Sequence, residues 1–283
     1  ALGTRIMTDP TESGAIGHRI ALAVEYDGSV YSGWQRQASP ELPTVQANLE
    51  SALSQIADTP VSVICAGRTD SGVHATSQLV HFDTPVDRGD KAWVRGVNSL
   101  LPATIRVLWS RPVEQAFHAR FSATGRRYFY LIHQAEVASA MFSRHVTHVR
   151  KPLDVQAMDE ASRYLLGEQD FTSFRAAGCQ SNSPNRNVFG AHWRRCGPLL
   201  VFDIHANAFL QHMVRNIVGS LMAVGRGEQQ PQWVRELLIA RDRTQAAMTA
   251  PPQGLYLVAV DYPSDCGLPL CKRVPLLVKE LAE

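Results

Sequence analysis

Val61-Ser62-Val63-Ile64-Cys65-Ala66-Gly67-Arg68-Thr69-Asp70-Ser71-Gly72-Val73-His74, followed three residues later by Gln78-Leu79-Val80-His81-Phe82, reads as strand, loop, strand. Apolar and β-branched residues fill both flanks. The loop has a glycine near each end, Gly67 and Gly72, and sets Arg68 two residues from Asp70. Glycine permits positive φ and lets a second backbone or a ligand come close. A cation and an anion on one short arc can keep a carboxylate ionised and aimed, which is the kind of work loops on a rigid scaffold do. The same residues also make an ordinary turn, with Asp70 and Ser71 capping their own backbone and Arg68 in a weak surface ion pair. The loop alone leaves both readings open.

Working outward on the N-terminal side, Thr44 is placed as the N-cap of a helix with Val45, Leu49, Leu53 and Ile56 at helical spacing. Before it, Ile20, Leu22, Val24 and Tyr26 alternate as a strand that ends at Asp27-Gly28, and Tyr31 to Gln37 form an aromatic and polar loop. On the other side, Lys91 to Leu101 is a helix stopped by Pro102, and Ile105, Val107 and Trp109 alternate in a closing strand. The order is β-α-β-β-α-β. It repeats further on. Tyr128, Tyr130 and Ile132 alternate with Phe129 and Leu131 in a strand apolar on both faces, and Asp154 caps a helix through Met158, Tyr164 and Leu165 that ends at Gly167. Val188 to Arg195 and Leu199 to Ile204 are strands across a Cys196-Gly197-Pro198 turn. Leu210, Met213, Val214, Ile217, Val218 and Leu221 mark a strong helix, Trp233 to Ala240 an extra one, and Tyr256, Val258 and Val260 the last strand. The expected fold is α+β: two ferredoxin-like βαββαβ halves, residues 18–115 and 116–264, forming one extended antiparallel sheet with helices on one face and a binding cleft on the other. Residues 1–17 are expected to be a disordered tail and 265–283 a C-terminal tail, with no element after Tyr262.

The chain has 283 residues, 45% of them hydrophobic, as in a soluble globular protein. No apolar run approaches the roughly 20 residues of a membrane span, and no basic-then-apolar leader opens the chain, so a cytoplasmic protein is expected. Cys65, Cys179, Cys196, Cys266 and Cys271 are odd in number and contain no Cys-x-x-Cys pair, which argues against a disulfide framework and a structural zinc. A net charge of +2 is too small to announce a nucleic-acid binder, so clustering decides. Arg111, His118, Arg120, Arg126 and Arg127 gather with Phe117 and Phe121 around the single acid Glu114. Aromatics among cations suit phosphates and unstacked bases, and a solvated linker between domains has the same look. The aperiodic stretch Phe171 to Arg186 is a binding loop or a long connection. On the helix after Leu210, the stripe His212, Arg215, Asn216, Gly219 is either a solvated face or a way to present Arg215 to an anion.

Taken together, Ala66 to His74, Phe117-His118-Ala119-Arg120-Phe121, Arg126-Arg127-Tyr128, Asp170-Phe171-Thr172-Ser173-Phe174, His212-Met213-Val214-Arg215-Asn216 and Gly254-Leu255-Tyr256 resemble the bacterial tRNA pseudouridine synthase A family, from about Arg19 to Tyr262. These enzymes modify positions 38, 39 and 40 of the tRNA anticodon stem-loop. Ser71 departs from the alanine more usual there; both are small. The resemblance implies that Asp70 is the essential carboxylate, that Arg68 pairs with it and helps hold the target base out of the helix, and that Tyr128 lines the uridine pocket. It implies RNA contacts from Phe117, His118, Ala119, Arg120, Phe121, Arg126 and Arg127 and from Gly178, Cys179, Gln180, Ser181 and Asn182. His212, Arg215 and Leu255 complete the expected substrate-binding set, with Leu255 and Val73 as apolar walls. It further implies a homodimer, no metal and no organic cofactor. Two rivals are a nucleoside hydrolase using Asp70 as nucleophile and a non-enzymatic RNA-binding module in which Asp70 only caps a turn. The hydrolase lacks a second acid in the loop and a metal motif such as His-Glu-x-x-His.

Overall fold

The structure is a computed structural model that describes residues 17–38, 41–270 and 272–281. The tail expected over residues 1–17 lies, apart from Gly17, outside the described residues. The alternating runs form β1 (His18–Tyr26), β2 (Ile64–Cys65), β3 (His74–Thr84), β4 (Ile105–Val113), β5 (Gly125–Gln134), β6 (Thr147–Val149), β7 (Gly167–Asp170), β8 (Asn185–Cys196), β9 (Leu199–Ala206) and β10 (Leu255–Asp261). They join in one mostly antiparallel sheet, ordered β4-β1-β3-β10-β5-β9-β8-β7, with β2 also on β3 and β6 also on β5. The last strand thus sits in the middle. It pairs with β5 over most of its length but meets β3 in parallel over just Tyr256 with His74 and Leu257 with Ala75.

The helices are α1 (Val45–Ala57), α2 (Gly89–Lys91), α3 (Val97–Leu100), α4 (Val155–Ser162), α5 (Met213–Gly225) and α6 (Trp233–Ala240), with a π turn at Ala92–Gly96 joining α2 to α3. Thr44 and Asp154 cap α1 and α4 as expected, accepting from the amides of Ala47 and Ala157. Each such cap stabilises its helix by ~1 kcal/mol. Leu49 and Leu53 of α1, Met158 of α4 and Ile217 and Leu221 of α5 are buried in one core with Tyr128, Tyr130 and Ile132 of β5. Phe129 and Leu131, pointing the other way, pack with Val201, Tyr256 and Val258 in a second cluster.

Four expectations need correction. Val61 to Cys65 pairs only at Ile64 and Cys65, because side chains of α1 take the preceding donors: the amide of Val61 goes to Ser54 Oγ and that of Val63 to Glu50 Oε1. The second half has two strands beyond its expected set, β6 and β7. The helix placed from Leu210 begins at Met213, because His212 turns left-handed at φ +60°. The segment after Tyr262 is not without structure. It makes a short turn at Ser264–Cys266, Arg273 donates its amide to Val258 O and accepts from Thr76 Oγ1, and Val278 is fully buried in the second cluster. The segment is a strap across the sheet face opposite α1, α4 and α5, tied to both β3 and β10 where they meet. No described helix is long and apolar enough to cross a membrane.

Candidate active site

The loop after β2 has little regular structure of its own, and its neighbours determine its shape. Buried Gln78 bonds Gly67 on both sides, its Nε2 donating to the carbonyl at 2.5 Å and its Oε1 accepting from the amide at 3.3 Å. The Tyr26 hydroxyl and Thr69 Oγ1 are 2.8 Å apart, and the Trp34 amide donates to Thr69 O at 3.0 Å. Gly33 is required: its φ is +95°, and a Cβ there would stand 2.9 Å from Thr69 O. With its loop so braced, Asp70 points its carboxylate at α5. Oδ2 lies 3.1 Å from Arg215 Nη1 and 3.4 Å from His212 Nε2, while Arg215 Nε donates to Ala250 O at 2.8 Å. An ion pair this sheltered is less screened than a surface one. The cation expected on Asp70 was Arg68, two residues away; the cation found there comes from 145 residues away. Arg68 is exposed, lines the cleft and forms no ion pair among the described residues.

Asp70, Arg68 and Arg215 line a cleft of about 860 Å³ with Tyr128, Leu255 and Val73. Tyr128 is buried edge-on to Phe209, ring centroids 5.1 Å apart, and burial pushes its phenol well above the ordinary tyrosine range, so the hydroxyl stays protonated. Gly178, Cys179, Gln180 and Ser181 form one rim, held by Arg175 Nη2 donating at 2.7 Å to the carbonyls of Cys179 and Ser181, and Arg120 and Arg186 also border the opening. The cleft was expected on the sheet face away from the helices. It lies on the helix side: Arg126 and Tyr128 share their face with Tyr130 and Ile132, which pack among the helices, and the start of α5 forms a wall.

Other expected contact residues divide. Exposed Arg120 and Phe121 group with half-buried His118, which stacks on Phe121 at 4.3 Å, the Arg120 guanidinium lying 5.6 Å from the same ring. Phe117 and Ala119 are buried structural residues: Phe117 packs on His81 and Tyr262, and the Ala119 amide donates to His81 Nδ1 at 3.0 Å. Arg127 projects from the opposite face in a two-pronged pair with Asp203, at 2.7 and 2.5 Å, and is not part of the cleft. Asn182 does not reach the lining either. Arg126 borders the cleft but spends its guanidinium on backbone carbonyls. Phe209, Gln46 and Arg186 went unselected in the sequence. Phe209 follows a strand and precedes a helix with no periodicity to mark it, whereas the polar loop holding Trp34 and Gln35 carried a visible signal. One further cluster has ligand-type side chains: Asp27 lies 3.2 Å from both His74 Nδ1 and His145 Nε2. His74 Nδ1 also faces the Gly28 amide at 3.0 Å, so neither protonation state leaves it a lone pair for an ion; the cluster is a brace under β3.

The family model described as tRNA pseudouridine synthase matches residues 22–122 and 161–263, which takes in both the Asp70 loop and the Arg215 helix. This chain belongs to the tRNA pseudouridine synthase family. Curated relatives named tRNA pseudouridine synthase A from Escherichia fergusonii and Shigella sonnei are each 55% identical over 263 residues, covering 93% of this chain and 97% of theirs. A solved structure, a crystal structure of a Cbf5-Nop10-Gar1 complex, aligns over 84% of this synthase and 48% of that chain at a TM-score of 0.32 and 12% identity. As a tRNA pseudouridine synthase the protein is an isomerase, and the cleft is where its chemistry is to be sought.

Proposed function

We propose that this synthase isomerises uridines 38, 39 and 40 of the tRNA anticodon stem-loop, with Asp70 as the essential carboxylate. The observation that carries the reading is Asp70 itself: a carboxylate in a cleft, aimed by a braced loop, paired with Arg215 and bordered by Tyr128. Forming pseudouridine breaks the bond from N1 to C1′, turns the detached uracil and rejoins it through C5. Asp70 attacks C1′ or takes a proton from C2′ to give a glycal; both routes use its carboxylate, which Arg215 Nη1 holds in place at 3.1 Å. The base must first leave the stem, at a cost of a few kcal/mol, and exposed Arg68 is the side chain to take its place. Once C5 is joined its proton departs. The protonated Tyr128 hydroxyl suits a relay, passing that proton through water, better than a phenolate base. Val73, Phe209 and Leu255 keep water from the glycosyl intermediate.

RNA would lie along the group His118, Arg120, Phe121 and the rim Gly178 to Ser181. We read the two halves as ferredoxin-like, since the orders β4-β1-β3-β2 and β10-β5-β9-β8 match one another, and the protein as a cytoplasmic homodimer working without metal or cofactor. The test uses a tRNA transcript carrying tritium at C5 of uridine, incubated with the protein and with Asp70→Asn in the presence of chelator. Tritium release confined to positions 38 to 40, without free uracil, and lowered ~10³-fold or more in the variant while it still binds RNA, is the expected result. Free uracil would show a hydrolase, and no release by either protein would reduce the molecule to a binding module.

A further inference from the structure

Arg126 is only 9% exposed, yet no carboxylate lies within 4.0 Å of it among the described residues. Its donors go instead to four backbone carbonyls. Nη2 reaches Ala66 O at 3.1 Å and Arg120 O at 2.7 Å, and Nη1 reaches Asn207 O at 2.9 Å and Ala123 O at 3.2 Å. These acceptors belong to three different walls of the cleft. Ala66 opens the loop that carries Asp70, Arg120 and Ala123 belong to the joint between β4 and β5, and Asn207 leads through Ala208 to Phe209, which packs on Tyr128. Arg126 is itself two residues from Tyr128 on the same face of β5. A buried cation without a counterion costs desolvation that a methionine of similar length would avoid, so its presence needs a reason in geometry. Only a planar fork of several donors satisfies carbonyls converging from separate segments; a lysine is a point donor on a flexible stem.

We propose that Arg126 is a positioning residue: it locks the Asp70 loop, the joint and the turn before α5 to the strand of Tyr128, so that Asp70, Tyr128 and Phe209 keep one relative placement around the extruded uridine. This rests on the proposed function of the cleft. It replaces an RNA contact with an internal one.

The test compares Arg126→Lys and Arg126→Met with the unaltered protein in tritium release, in RNA binding across a salt series and in thermal unfolding. The expected result is a fall in kcat of ~10²-fold in both variants, with KM and the salt dependence of RNA affinity unchanged, since a displacement of about 1 Å costs that much. Wild-type activity in Arg126→Lys, with weakened binding and a shallower salt slope in Arg126→Met, would mean a phosphate contact and overturn the proposal. Unchanged kcat per folded molecule in both would mean stability alone and overturn it equally. Hydrogen exchange on the unaltered protein covers the case in which neither variant folds. Residues 66–70, 119–123 and 207–210 are expected to open as one unit, and independent opening would refute the clamp. That measurement needs no turnover, so failure of the activity assay in the unaltered protein would count against the functional reading alone.

Discussion

His212 occupies the left-handed region at φ +60°, where a non-glycine residue stores roughly 1 kcal/mol or more, and it does so with its imidazole 3.4 Å from the Asp70 carboxylate. The first turn of α5 holds this strain in place, because the His212 carbonyl accepts the amide of Asn216. His212→Gly should therefore raise stability by ~0.5–1 kcal/mol, read by denaturant unfolding, and at the same time lower tritium release. A loss of stability would show that the imidazole contributes more to folding than its backbone costs. At this scale the sequence was legible in part. The polar stripe of α5 flagged Arg215, but its partner Asp70 lies across the fold, and no local pattern reports a contact of 145 residues. Arg126 and Arg127 teach the opposite lesson. Read as a charge cluster they belong together; read by the period of two that Tyr128 and Phe129 already displayed, they must face apart, and they do.

Among the elements, α5 depends on one small residue. Gly219 faces the segment before β10 so closely that a Cβ would stand 1.9 Å from Met248 O. The same segment brackets Arg215, which receives the Ala250 amide on its carbonyl and donates Nε to Ala250 O. Gly219→Ala must push the segment away, at ~1–3 kcal/mol, and should reduce activity beyond the loss of folded protein because Arg215 loses its backbone anchor. Thermal unfolding and tritium release on the same samples check it; activity falling only with the folded fraction would refute the link. The helices α1 and α4, with clear caps and period, and α6, by its period alone, were legible in the sequence. The short strands β6 and β7 were not: at three and four residues they have no period to display, and it is the strand alongside that makes them strands.

For the molecule as a whole, the union of β3 with β10 is narrow, and the strap covers it from the far side. Arg273 bonds both strands and also pairs with Glu25 of β1 at 3.2 Å, while Val278 is seated at no measurable exposure. Val278→Asp places a carboxylate among Phe129 and Leu131 of β5, Cys196 of β8, Val201 of β9 and Val258 of β10, and should destabilise the protein by about 3 kcal/mol or more, with faster amide exchange in these strands than in β1 and β4. Uniform exchange across the sheet would show that the end of the strap is not what holds these strands together. The position of β10 also bears on how the chain is made. Ribosomes deliver about 5–20 residues per second, N-terminus first, and the strand that bridges the earlier half to the later one is encoded near the end. For seconds during synthesis β3 at His74 and Ala75, and β5 from Gly125 to Tyr130, therefore leave open the ladder positions that β10 fills last.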